Sequence, residues 1–104
     1  MELHHLNQHK AEKQSYLEFL RRPDFSAGVY RLPEGAADPQ QPHAEDEIYV
    51  MISGHCRFRG GDEDVVLGPG DIIFVPANEP HHFHDIREAI EVVVLFSPPE
   101  GTRI

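Results

Sequence analysis

The chain has 104 residues, enough for one domain whose core needs no staples, and 39% hydrophobic against 26% charged content fits a folded globular protein. A formal net charge of -9 without a basic patch argues against a nucleic-acid or anionic-membrane partner, and no apolar run approaches the roughly 20 residues of a membrane span. Cys56 is the single cysteine, so no internal disulfide can form, and it reads as a small buried apolar residue on a strand.

The opening, Met1-Glu2-Leu3-His4-His5, lacks the basic and apolar regions of a signal peptide, which makes the cytoplasm the expected location. Residues 1–14 are polar and His-rich, and read as a short helix or mobile arm in which His4, His5 and His9 are solvated. A β domain is expected over 15–104. Its first strands fall at 16–20 and 25–32, around the turn cluster Arg22-Pro23-Asp24, and an irregular loop follows over 33–42. A strand over 47–52 breaks at Gly54 and resumes over 55–59. Gly60-Gly61-Asp62 signals a hairpin into 64–67, and Gly68-Pro69-Gly70-Asp71 turns the chain into 72–75. The segment 81–86, a turn at Arg87-Glu88 and the apolar strand 89–96 complete the chain. Short strands with turns every ten or so residues predict an all-β sandwich or barrel.

Alternation then sorts the side chains. If 41–51 is extended, Gln41, His43, Glu47, Tyr49 and Met51 share one face, and Ile48, Val50 and Ile52 the other. His81, Phe83 and Asp85 likewise oppose His82 and His84, so His81 is the histidine of that segment suited to an interior site. Two histidines and a carboxylate on separate extended segments are what a mononuclear metal site with open positions requires. Tyr49, Met51 and Phe83 are expected to line a ligand pocket beside it. Glu45 shares the parity of His43 and Glu47 but reads as solvated, and Arg31 as a strand-surface arginine. The runs 72–75 and 92–96 are apolar on both faces, which calls for burial on both sides and favours a homodimer built on a sheet face.

The polar residues stand at a spacing that resembles the cupin superfamily. The first cupin motif runs Gly, five residues, His, one residue, His, three or four residues, Glu, six residues, Gly. Gly35, Gln41, His43, Glu47 and Gly54 follow it, with Gln41 in place of the first His. The second runs Gly, five residues, Pro, one residue, Gly, two residues, His, three residues, Asn. Gly70, Pro76, Asn78, His81 and Asp85 follow it, with Asn78 for the Gly and Asp85 for the Asn. Asn tolerates positive φ better than other non-glycine residues, so Asn78 is a workable turn substitute.

The resemblance implies a double-stranded β-helix jelly-roll barrel, a small single-domain cupin, with a divalent metal held inside by His43, Glu47 and His81. Gln41 is expected either to bind that metal directly or to stand back and hold a metal-bound water. Fe, Mn, Ni and Zn are not distinguishable from the donor set. Two functions follow: a metal-dependent enzyme on a small oxygenated substrate, dioxygenase-like or isomerase-like, or a non-catalytic binder or sensor of a small molecule, with or without metal.

Overall fold

Period-two alternation builds strands where the sequence predicts them. In the computed structural model, which describes residues 1–9 and 15–102, six strands follow a 3-10 turn at Leu6–Gln8. They are β1 (Tyr16–Arg21), β2 (Ser26–Leu32), β3 (Asp46–Gly60), β4 (Glu63–Leu67), β5 (Ile72–Val75) and β6 (His81–Ser97). All pairings are antiparallel, in the order β1-β2-β6-β3-β4, and β5 also pairs with β3. Among the described residues no helix is long and apolar enough to cross a membrane.

The long strands β3 and β6 organise the fold. They run side by side from Asp46–Ser97 to Gly60–His81. One half of β6 lies between β2 and β3, while the far half of β3 lies between β6 and β4. Both strands therefore pass from one sheet into the other, which makes the chain a double-stranded β-helix jelly roll. Tyr49, Met51, Phe58, Phe83, Ile90, Val92 and Val94 fill the space between the sheets.

The breaks expected at Gly54 and at Arg87-Glu88 are bends inside continuous strands. Pairing shifts register three times between Met51 and Arg57 yet continues past Glu88, which pairs with His55. A bulge adds a residue to one strand and curves it without ending it. Gly54 permits this with φ +89°, and a Cβ there would stand 2.2 Å from the Ala89 carbonyl oxygen. Asp85 takes φ +46° on the facing strand, and Asn78 takes φ +67°, the conformation its place in the second motif requires.

The N-terminal reading is corrected in part. His5 is exposed, but His9 stacks on Phe19 with ring centroids 4.9 Å apart, and His4 Nδ1 lies 3.0 Å from His9 Nε2. Arg31 holds this segment from the outer face: it pairs with Glu91 at 2.7 Å and donates to the carbonyls of Leu6 and His9. Residues 10–14 of the expected arm, and the last two residues of the expected domain, lie outside the described residues. Ile48, Ile52, Val65, Val66, Ile72 and Phe74 remain exposed in the single chain.

Candidate metal centre

Three pieces of chain converge on one point. Glu47 and Tyr49 lie on the inward face of β3, His43 sits in the loop before it, and His81 opens β6. Backbone bonds bring the two polar blocks together: Asn78 N–H donates to the His43 carbonyl (2.7 Å), and Ala77 N–H donates to the Asp46 carboxylate (2.9 Å). His81 Nε2 is 3.3 Å and His43 Nε2 3.8 Å from the same oxygen, Glu47 Oε1. One ligand atom from each of these residues lies within 4.8 Å of the others. Glu47 is 1% exposed and His81 5%, while His43 is half-buried and faces a cavity of about 240 Å³.

The electrostatics of this cluster call for a cation. Neither oxygen of the Glu47 carboxylate has a hydrogen-bond donor among the described residues. An ion buried this way costs several kcal/mol unless it is compensated. His81 Nδ1 donates to the Glu79 carbonyl (2.8 Å), and a carbonyl can only accept. That bond fixes the proton on Nδ1 and leaves Nε2 facing Glu47. Burial opposes a charge on His81, but the Glu47 carboxylate and the Glu79 carbonyl outweigh it, and its pKa is raised. A proton at Nε2 or a divalent metal answers the Glu47 charge equally well in sign. Two imidazoles and one carboxylate, with one imidazole steered by a backbone carbonyl, fit a borderline divalent metal.

Gln41 is not brought to this cluster. It is exposed, and the amide on the cavity wall belongs to Gln40. Strand alternation does not extend to these residues, because β3 begins only at Asp46. The loop is set instead by Asp38, whose carboxylate accepts from Tyr30 O–H (2.5 Å), Gln40 Nε2 (2.7 Å), Phe83 N–H (2.9 Å) and Gln40 N–H (3.3 Å). Tyr49 O–H in turn donates to Gln40 Oε1 (3.0 Å), and its oxygen lies 3.1 Å from His81 Nε2. Burial, with Glu47 adding to it, raises the Tyr49 pKa and keeps the phenol protonated.

The remaining predicted residues divide between wall and core. Tyr49 lines the cavity with Tyr16, Tyr30, Gln40, His43 and Glu100. Met51 and Phe83 are 1% and 0% exposed and belong to the core behind it. Glu45 is buried rather than solvated, and its carboxylate accepts from Gly101 N–H at 3.2 Å. Burial raises the Glu100 pKa; His43 opposes this, while Glu18, Glu45 and Glu47 add to it. His84 lies on the outer face, 2.9 Å from Asp64, as alternation requires. Burial pushes the Cys56 thiol up to about 11, consistent with a core residue. Asp38, Gln40, Tyr16 and Glu100 were not legible as site residues. Tyr30 was not read as a site residue either, and nothing in an irregular loop signals that Asp38 turns inward.

A profile for the family described as Cupin domain matches residues 28–97. An uncharacterised protein of Streptomyces coelicolor is 44% identical over 84% of this chain and 83% of its own length. The acireductone dioxygenase of Bacillus licheniformis is 41% identical over 57% of this chain and 36% of its own. The dimethylsulfoniopropionate lyase DddQ of Ruegeria pomeroyi is 32% identical over 69% of this chain and 36% of its own. The crystal structure of that lyase superposes with a TM-score of 0.69 at 30% identity, over 73% of this chain and 39% of the lyase. This chain therefore spans little more than a third of each of the two named enzymes.

Proposed function

The chain belongs to the cupin family, and from that premise we propose that it is a divalent-metal enzyme acting on a small oxygenated molecule, dioxygenase-like or isomerase-like. The observation that carries this reading is the Glu47 carboxylate, buried between His43 and His81 without a donor among the described residues. His43, Glu47 and His81 would hold the ion. A metal so bound supplies Lewis-acid polarisation or, as Fe(II), a place for dioxygen chemistry. The chain supplies the rest. Val94 and Phe96 give the cavity apolar walls, and the Tyr49 phenol, fixed by Gln40, turns oxygen lone pairs toward His81. The likeness to a dioxygenase and a lyase supports chemistry on a small molecule, each along part of its length.

Metal analysis and calorimetric titration with Fe(II), Mn(II), Ni(II) and Zn(II) test the centre. About one equivalent of metal is expected, lost in His81→Ala and Glu47→Gln. Less than about a tenth of an equivalent after incubation with all four would overturn it.

The same proposal includes a homodimer in the cytoplasm, without nucleic-acid or membrane partners. Ile48 and Phe74 pair across β3 and β5, and with Ile52 and Ile72 they form an exposed apolar strip that a second copy would cover. The net charge of -9 supports the exclusion of nucleic acid. A sedimentation mass equal to one chain at micromolar concentration would refute the dimer.

A further inference from the structure

The cavity beside the centre carries two polar groups that the Asp38 network leaves unused. Tyr30 donates to Asp38, the Gln40 amide is engaged at both ends, and Tyr49 donates to Gln40. The Tyr16 phenol oxygen, by contrast, is buried with no hydrogen-bond partner among the described residues. No described residue donates to the Glu100 carboxylate either, although its backbone is tied down: its N–H donates to Ser26 Oγ (3.0 Å), and its carbonyl accepts from Arg21 (3.1 Å). Tyr16 and Glu100 line the cavity together with His43.

The phenol is held firmly in this position. Tyr16 pairs with Tyr30 across β1 and β2, and its ring lies over Gly28, where a Cβ would stand 2.2 Å from the phenol oxygen. Phe96 packs against it edge-on, with centroids 6.1 Å apart. Phenylalanine would fill the same space, so an unpartnered hydroxyl here costs about 1–3 kcal/mol that packing does not require. Among the described cavity-lining residues there is no lysine or arginine, so an anionic group at this end would meet Glu100 without a counter-charge from them. A carboxylate accepts only, while a phenol both donates and accepts. Together they match an O–H or N–H group.

We propose that Tyr16 and Glu100 form a subsite that selects small molecules bearing a hydroxyl or amino group at the end remote from the metal. This rests on the proposed metal centre for the other end of the molecule, an oxygen group facing His43, Glu47 and His81. Glu100 accepts from the remote donor, and Tyr16 completes its hydrogen bonding. A cavity of about 240 Å³ falls below the roughly 300 Å³ at which drug-sized sites begin, so the molecule is small.

The test uses butyrate, γ-hydroxybutyrate, γ-aminobutyrate and succinate, titrated by ligand-observed NMR into the metal-loaded chain. The hydroxy and amino acids are expected to bind about three- to tenfold tighter than butyrate, with succinate the weakest. Tyr16→Phe removes the preference for the hydroxy acid, and Glu100→Gln removes the preference for the amino acid and the penalty on succinate. Both variants still bind butyrate and about one equivalent of metal. Equal binding of all four probes to the native chain overturns the proposal, as does a uniform loss for all four in the variants. Ethylene glycol against ethanol, titrated into the metal-free chain, separates the two readings. A chain that takes no metal but still prefers the glycol through Tyr16 and Glu100 keeps the subsite and loses the centre. A chain that takes metal and shows no preference keeps the centre and loses the subsite.

Discussion

Asp38 decides which end of the Gln40 amide faces the metal centre. Gln40 Nε2 lies 2.7 Å from the Asp38 carboxylate, and a carboxylate has no proton to give, so the NH₂ end must point there. The amide oxygen is then the end that meets Tyr49 O–H at 3.0 Å. Tyr49 must donate to it, and the phenol's lone pairs are left for the His81 side, 3.1 Å away. One loop carboxylate thereby links β2, β3 and β6 and sets the proton direction on a cavity-wall phenol.

Asp38→Asn tests that role. Asn offers one carbonyl oxygen to donors that now share two carboxylate oxygens, and its own NH₂ confronts that of Gln40. A loss of about 1–3 kcal/mol in urea denaturation is expected, because at least one buried donor loses its partner. Tyr30→Phe removes the 2.5 Å bond from the other side. The double variant should lose less than the sum of the two single losses, since the groups share one network. Additive losses would show that the Tyr30–Asp38 bond carries no coupling.

The two neighbouring glutamines should behave oppositely. Gln41→Ala alters an exposed side chain, so stability should change by no more than about 0.5 kcal/mol and metal affinity should not change. Gln40→Ala strips Tyr49 O–H of its acceptor and Asp38 of a donor, and should cost about 1–3 kcal/mol. Gln41→His should also fail to tighten metal binding. Calorimetric titration of the three variants checks this, and a gain in Gln41→His would bring residue 41 back to the centre.

The glutamines show where sequence reading works and where it stops. Inside strands a period of two is reliable, and His81, Glu47 and Tyr49 face inward as alternation predicts. The positive φ of Asn78 was legible as well, because that conformation restricts residue type. Residues 33–45 have no period. Their conformation depends on contacts distant in sequence, such as Phe83 N–H to Asp38, so the inward turn of Gln40 rather than Gln41 could not be read. Gly54 and Arg87-Glu88 looked like strand ends for a related reason: a bend and a break use the same residues, and only the partner strand distinguishes them.

Stability should carry a signature of Glu100. Burial, the largest cause, raises its folded pKa above the unfolded value of about 4.3; His43 opposes this, and Glu18, Glu45 and Glu47 add to it. The folded state then binds the proton more tightly than the unfolded state. The resulting stability is fully present below about pH 4.3 and is lost as pH rises through the folded pKa. Glu100→Gln should flatten that part of the curve. Urea midpoints of both proteins from acid to neutral pH are the measurement, and parallel curves would show that the group titrates normally.

Glu47→Gln separates what the fold requires from what the centre requires. In the metal-free chain Glu47 is a buried carboxylate without a hydrogen-bond donor among the described residues, and His81 Nε2, 3.3 Å away, is the nearer of the two imidazoles beside it. A buried carboxylate left without donors is costlier than a neutral amide of the same shape, so the amide is expected to be the more stable here by about 1 kcal/mol. The variant should therefore melt above the native chain when both are free of metal. Metal at about a hundredfold over its dissociation constant adds about 2.7 kcal/mol to a protein that binds it and nothing to one that does not. The order of melting temperatures should accordingly invert when metal is added. If the metal-free variant is instead the less stable of the two, His43 and His81 alone satisfy Glu47, and the electrostatic case for a metal at this point fails.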